Sequence, residues 1–167
     1  EFKEIIQGEL AVNGDWIVAN VVTTMSWSVT LQKVPFRGGD IWVLPVTHGH
    51  YPGIALNRKG DLSRHAAEAI LMQFLSVLSW VEGNGILLDF FSGGNLPRLM
   101  GRKDTHNAIQ RDFDFSYFPE PSDERALLGL ALMREGRGLR NSPYAFLSFY
   151  RVLEVALPDG RARGKWI

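Results

Sequence analysis

His48 and His50 stand two residues apart in the sequence THGHYPG, a spacing that suits metal binding. On an extended strand, residues two apart project to the same face, so both imidazoles could share one transition-metal ion. A third ligand would have to come from elsewhere, and His65, Asp61 and His106 are the candidates. The alternative is a polar loop that simply carries two histidines, because no third ligand follows at a regular spacing.

The segment PRLMGRKDTHNAIQR holds the densest group of basic side chains. It follows the glycine-containing sequence SGGN, and its candidate binding residues are Arg98, Arg102, Lys103, His106 and Arg111. Guanidinium forks bind phosphate and carboxylate oxygens through charge-assisted hydrogen bonds. The segment therefore predicts a site for an anionic ligand, such as a phosphate or an acidic protein face, and the alternative is a solvated loop.

Catalytic groups are harder to assemble from this sequence. Asp112 and Asp114 fall on one face of a predicted strand and could act as general acid and base, but a solvated strand face explains them equally well. The chain has no cysteine, and its serines lack a nucleophile-elbow context. The sequences GNG and SGG do not form a dinucleotide-binding motif. We predict no catalytic residue and no cofactor.

The composition of the 167-residue chain is that of a globular protein of single-domain length. Apolar residues make up 46% and aromatic residues 11%, which argues against disorder. Eighteen basic side chains balance eighteen acidic ones, so net charge does not support a nucleic-acid partner, although a local patch leaves one open. The longest apolar run, ALLGLALM, is too short to span a bilayer. We expect a cytoplasmic protein without membrane contact.

Four segments before Asp61 predict the antiparallel sheet that would position these residues. GDWIVANVVTT and WSVTLQKV are rich in β-branched and aromatic residues, and Trp27, Val29 and Leu31 alternate with polar residues. DIWVLPV and YPGIALN are two further candidate strands, and residues 38–40 form a predicted turn. A meander with one packed face is the simplest arrangement.

A long helix is predicted from Leu62 to Glu82, with Asp61 as its N-cap and Gly83 as its C-cap. The following sequence GILLDFF predicts a buried strand. DFDFSYF alternates with period two and predicts a half-buried strand.

Two helices are predicted near the end of the sequence. Ser122 caps the first, which ends near Arg134, and the second spans Ser142–Leu157 with a proline in its first turn. The broad apolar face of the second helix consists of Phe146, Leu147, Phe149, Tyr150, Leu153 and Leu157. One side of this face can pair with the first helix, and the other side needs a partner, either the sheet or helices beyond Ile167.

These elements predict an α+β fold with an N-terminal antiparallel β-sheet, a long packing helix and a C-terminal helical hairpin. We expect two domains, a β-rich α+β domain over residues 1–118 and the start of a helical region over residues 119–167. The sequence begins with Glu1 and ends at Ile167, just after a turn, where another element seems to start. We therefore expect a fragment of a longer protein.

Two stretches, LMQFLSVLSWVEGNGI and ALALMREGRGLRNSPYAFLSFYRVLEVALPDG, resemble segments of bacterial proteins of the methylamine utilization protein MauJ-like family. The most specific piece is REGRGLRNSPYAFLSFYRVLE, in which a short loop places Ser-Pro before an aromatic helix. The resemblance implies a β-rich N-terminal region joined to a helical C-terminal region. The family brings no agreed active site, so no catalytic residue is assigned from it.

The same helix pair resembles the start of a HEPN-type helical domain, a class that includes metal-independent ribonucleases. The resemblance implies a motif of arginine, four residues and histidine, but no arginine in this chain has a histidine at that spacing. We therefore predict a binding or interaction module for an anionic ligand or a partner protein. The alternative is the N-terminal part of a HEPN-type ribonuclease whose catalytic residues lie beyond Ile167.

Overall fold

The computed structural model of the chain describes residues 10, 14–46, 50–58, 60–97, 101 and 111–164. In chain order its elements are β1 (Asp15–Thr23), β2 (Gln32–Phe36), β3 (Gly39–Leu44), β4 (Gly53–Arg58), α1 (Arg64–Val81), β5 (Ile86–Gly94), α2 (Glu124–Gly138), α3 (Ser142–Ala156) and the single turn α4 (Gly160–Arg163). The predicted α+β fold is confirmed, with an antiparallel sheet, a long helix and a C-terminal helical pair. None of the helices in these described ranges is long and apolar enough to cross a membrane.

The five strands form one antiparallel sheet in the order β2-β3-β4-β1-β5. The ladder pairs Ile17 of β1 with Leu56 of β4, and Leu56 in turn with Ile41 of β3. On the other side of β1, the backbone N–H of Gly14 donates to the carbonyl of Asn95 at 2.9 Å, just beyond the end of β5. Strand β1 is therefore paired along both edges, and its residues from Trp16 to Val21 are buried, which accounts for its nearly continuous apolar sequence.

A two-residue turn connects β2 to β3 at Arg37 and Gly38. Both residues have positive φ, 52° and 73°, as a type I′ turn requires. The predicted turn at residues 38–40 was therefore placed one residue too late, and Gly39 and Asp40 belong to β3. The twist of a type I′ turn matches that of the flanking strands, which explains why the chain reverses at the first glycine of the pair.

Two predicted strand segments are wrong. Residues 28–31 precede β2 as a loop, and residues 111–123 contain no strand. The two segments meet through hydrogen bonds that involve side chains. The backbone N–H of Phe113 accepts no ladder partner and instead donates to the side-chain oxygen of Gln32 at 3.0 Å, and the side-chain amide of Gln32 donates to the Phe113 carbonyl at 2.8 Å. Period-two alternation alone does not distinguish such a pairing from a β-ladder.

Helix α1 begins one turn corner later than predicted. Ser63, and not Asp61, caps it, because the Ser63 hydroxyl accepts from the backbone N–H of Ala66 at 3.1 Å. At the other end the prediction is confirmed, since Gly83 has a φ of 69°. The backbone N–H of Asn84 reaches back to the carbonyl of Ser79 at 3.2 Å, as in a Schellman C-cap.

The chain divides into two compact units. The first comprises the described residues of Glu1–Leu71 and Leu88–Tyr117, and the second those of Met72–Leu87 and Phe118–Ile167. In the second unit, Asp123 caps α2 by accepting from the backbone N–H groups of Arg125 and Ala126, so the predicted cap at Ser122 is wrong by one residue. The predicted domains 1–118 and 119–167 concern independent folding and stay a prediction.

Candidate functional site

Most of the predicted ligand-binding residues lie outside the described residues. These are His48 of the histidine pair and Arg98, Arg102, Lys103 and His106 of the basic segment. His50 and Arg111 are described, and each lies at a point where its segment joins the ordered framework of the first unit.

An isolated antiparallel bridge pairs His50 with Gly101. It places the histidine pair beside the basic segment, two regions that are 51 positions apart by the numbering of these residues. The neighbouring Tyr51 ring packs edge-on against Phe90 of β5, with ring centroids 5.7 Å apart. Within the described part of the chain, no group of three His, Asp or Glu side chains could hold a metal ion. The proposed third ligands Asp61 and His65, both described, therefore complete no such group.

The basic segment ends on a fixed support at Arg111 and Asp112. The backbone N–H of Arg111 donates to the carbonyl of Trp27 at 3.1 Å, and the buried Trp27 ring packs edge-on against Phe113 at a centroid distance of 5.3 Å. The indole N–H of Trp27 donates to the Leu44 carbonyl at 2.9 Å. These contacts fix the backbone on which Arg111 stands.

The Asp112 carboxylate holds the loop before β2. Its Oδ1 accepts from the Ser28 hydroxyl at 2.9 Å and from the backbone N–H groups of Val29 and Thr30 at 3.0 and 2.9 Å. Its Oδ2 accepts from the Thr30 hydroxyl at 2.8 Å. The pKa of Asp112 is lowered, first of all by the backbone N–H of Thr30, because these donors stabilise the charged form. A carboxylate engaged in this way acts as a structural clamp.

Asp114 is also engaged locally. It accepts from the backbone N–H of Ser116 at 2.9 Å, and its pKa is lowered, first by the Ser116 side chain and then by this N–H. Both aspartates of the proposed acid–base pair are therefore held in the charged form, which favours structural roles for both.

A cleft of about 290 Å³ that sequence reasoning missed lies over the ends of β1, β4 and β5. Gly93 and Gly94 leave it open on one side, and Arg58 and Arg64 line the other. Arg58 forms an ion pair with Asp15 and donates to the Leu62 carbonyl at 3.3 Å, while Arg64 pairs with Glu68 at 2.8 Å. Each guanidinium already has a carboxylate, so the cleft is charge-compensated.

In the second unit, α3 turns its small residues toward α2. Ser148 is buried, and Ala145, Val152 and Val155 are half-buried along the same side of the helix. Gly136 of α2 allows close packing, since a Cβ at this position would lie 2.9 Å from the Phe149 ring. The helical pair thus packs through small side chains and leaves the large ones elsewhere.

The large apolar side chains of α3 are exposed. Phe146, Phe149, Tyr150 and Leu153 lie on one side of the helix at about 3.6 residues per turn, and we call this set the aromatic stripe. Phe146 is 65% exposed, Leu153 40% and Phe149 39%. The Phe146 and Tyr150 rings stack along the helix with centroids 6.3 Å apart. The broad apolar face predicted for this helix is present, and the part of it that faces solvent carries the largest rings.

Comparison with known proteins bears on this helical pair. Residues 129–167 match the family model described as methylamine utilization protein MauJ. The chain is MauJ-like over this segment. The match begins within α2, covers all of α3 and confirms the resemblance predicted from the sequence, while the HEPN-type continuation stays a prediction. No curated protein and no solved structure gives a significant match to the chain. The MauJ-like segment therefore contains the whole aromatic stripe.

Proposed function

We propose that this chain is a protein-interaction module and that the aromatic stripe of α3 is its docking surface. The observation that carries the proposal is the exposure of Phe146, at 65%, beside the partly exposed Phe149 and Leu153. Burying such side chains in a partner is favourable by about 25 cal/mol for each Å² of apolar surface. Contiguous exposed apolar patches of this kind mark interaction sites on monomeric proteins.

The chemistry of the stripe favours an apolar helix as partner. A stripe along a helix packs against residues spaced i, i+3, i+4 and i+7 on another helix. The stripe is also supported from behind, because the Phe149 ring lies against Gly136 and α3 is paired with α2 along its small-residue side. Little ordering of α3 is then needed on binding, which favours affinity.

The test uses a fluorescently labelled amphipathic peptide with leucines at i, i+3, i+4 and i+7, titrated with the chain and followed by anisotropy. Phe146→Lys should weaken binding at least about tenfold, equivalent to about 1.4 kcal/mol. Tyr144→Lys is the matched control, because Tyr144 is 62% exposed and lies on the opposite side of the same helix. Equal effects of both variants, or none from Phe146→Lys, would contradict a docking role for the stripe.

A second candidate is ligand binding where the histidine pair and the basic segment meet. It takes an anion on Arg98, Arg102, Lys103, His106 and Arg111, or a transition metal on His48 and His50. The bridge between His50 and Gly101 supports it, because it brings the two segments to one edge of the first unit. Calorimetric titration with inorganic phosphate and with zinc separates the two ligands.

Matched variants assign any binding seen in these titrations. Arg102→Ala should abolish phosphate binding if the basic segment holds the anion, with Arg140→Ala as the control at an exposed position. His50→Ala should abolish zinc binding, and His65→Ala should not. Unchanged titrations for Arg102→Ala and His50→Ala would remove this candidate.

The ribonuclease alternative depends on residues beyond Ile167, because the arginine–histidine spacing does not occur in this chain. We expect no RNA hydrolysis by the chain of 167 residues. Hydrolysis that a single substitution abolishes would replace the interaction module with an enzyme.

A further inference from the structure

We infer that the aromatic stripe of α3 docks on the same stripe of a second copy of this chain, with the two helices antiparallel about a twofold axis. The inference rests on the proposed docking function and names its partner. Three features of the chain carry it: the size of the exposed patch, the absence of charge in it, and the order of its side chains.

The size of the patch suits the core of a modest interface. Phe146 and Phe149 together expose the equivalent of about one whole ring, or about 200 Å², because an aromatic side chain contributes about 150–250 Å². Leu147, which is 53% exposed, and Leu153 extend the patch into the range of about 300–600 Å² typical of functional patches. A standard interface buries about 800 Å² on each partner, with polar residues around an apolar core. We therefore expect a reversible dimer with a Kd on the order of micromolar.

Electrostatics does not oppose self-association. The chain has a formal net charge of zero, so two copies meet without long-range repulsion. The four residues of the stripe are uncharged, and the nearest ionisable side chains on α3 are Arg151 and Glu154. Both lie off the stripe at the helical spacing. Like charges therefore do not have to be buried against each other in the pair.

The order of the side chains favours the antiparallel arrangement. With the axis between Phe149 and Tyr150, Phe146 of each copy faces Leu153 of the other, and Phe149 faces Tyr150. Each large ring then meets a different residue, and the contact is made twice because a twofold interface is isologous. Antiparallel helices also place opposite ends of their macrodipoles together, whereas parallel helices place like ends together.

The absence of cysteine from the chain allows a direct test by disulfide cross-linking. Phe146→Cys and Leu153→Cys chains are mixed at low micromolar concentration under mild oxidation. In the antiparallel dimer the two cysteines face each other, and the second Phe146–Leu153 contact stays intact. The mixture should form covalent dimers at least about tenfold faster than either variant alone, because pairing raises the local concentration of the thiols. A mixture of Tyr144→Cys and Leu153→Cys is the control and should stay slow.

Sedimentation velocity on the cysteine-free chain provides the second measurement. The wild-type chain and Tyr144→Lys should shift from monomer to dimer as concentration rises, and Phe146→Lys should stay monomeric. Rapid cross-linking of Phe146→Cys with itself would overturn the antiparallel arrangement. A wild-type chain that stays monomeric up to about 1 mM, far above a micromolar Kd, would overturn the second copy as partner.

The two proposals fail in different ways. If the chain stays monomeric but the leucine peptide binds and Phe146→Lys abolishes that binding, the docking surface stands and its partner is a different protein. If neither dimer nor peptide complex forms, the proposed function fails together with the inference.

Discussion

Asp112 holds Thr30 by both of its donors, the backbone N–H at 2.9 Å and the hydroxyl at 2.8 Å. Two segments that lie 82 positions apart in the chain are joined in this way. The pKa of Asp112 consequently lies below its ordinary value of 3.8. Charge-assisted hydrogen bonds of this kind are shorter and stronger than neutral ones.

We expect Asp112→Asn to lower the free energy of unfolding at pH 7. Because the pKa is lower in the folded than in the unfolded chain, the charged carboxylate stabilises the fold fully above the unfolded-state pKa. This contribution is lost as the pH falls through the folded-state pKa. The difference between wild type and variant in urea unfolding should therefore be largest at neutral pH and shrink below pH 3.8. Asp40→Asn is the control, since its ion pair with Lys33 is exposed and worth little.

The Asp112 clamp also explains where sequence reasoning succeeded and where it failed. The strands β1, β3, β4 and β5 and the three longer helices were predictable, because their periodicity and capping signals are local. The strand predicted to begin at Trp27 failed because a carboxylate distant in sequence holds residues 28–30 as a loop. Nothing within a local window reports such a contact.

The candidate sites follow the same rule. The aromatic stripe was predictable because it repeats at helical spacing along one segment. The cleft at Asp15, Arg58 and Arg64 was not, because it depends on the register that pairs Asp15 with Arg58 across β1 and β4. The juxtaposition of His50 with Gly101 likewise arises from long-range pairing.

The N-cap of α1 gives a prediction that separates two adjacent candidates. Ser63→Ala should lower the free energy of unfolding by about 1 kcal/mol, because it removes the acceptor for the Ala66 N–H. Asp61→Ala should have a much smaller effect, since Asp61 is exposed and precedes the cap. Chemical denaturation of both variants measures the difference, and a larger loss for Asp61→Ala would assign the cap to the aspartate.

Gly85 is required by close backbone packing in the second unit. A Cβ on this residue would lie 2.4 Å from the Arg137 carbonyl oxygen and 2.6 Å from the Gly138 nitrogen. Backbone atoms cannot rotate away as side chains do, so we expect Gly85→Ala to cost about 1–3 kcal/mol or more in the free energy of unfolding.

Gly129 in α2 is the matched control for this substitution. A Cβ there would meet nothing within 4 Å, and alanine is about 1 kcal/mol more favourable than glycine inside a helix. Gly129→Ala should therefore stabilise the chain, measured by the same urea titration. If both substitutions were neutral, the close approach of Gly85 to the end of α2 would be wrong.

Arg134 links α2 to two other segments of the second unit and gives the last prediction. Its Nε donates to the Ser76 hydroxyl at 3.1 Å and its Nη1 to the Ile86 carbonyl at 3.0 Å. Burial lowers the pKa of this guanidinium, yet both of these acceptors are neutral. The side chain therefore serves as a two-pronged donor, and its geometry matters more than its charge.

We expect Arg134→Leu to lower the free energy of unfolding by about 1–3 kcal/mol, the cost of leaving a buried acceptor such as the Ile86 carbonyl without its donor. Arg134→Lys keeps the charge but not the planar fork, so it should recover only part of this loss. Arg140→Leu, at an exposed position, is the control and should be nearly neutral. Urea denaturation at pH 7 ranks the three variants. Full recovery by lysine would show that charge, and not the pair of hydrogen bonds, is what holds α2 in place.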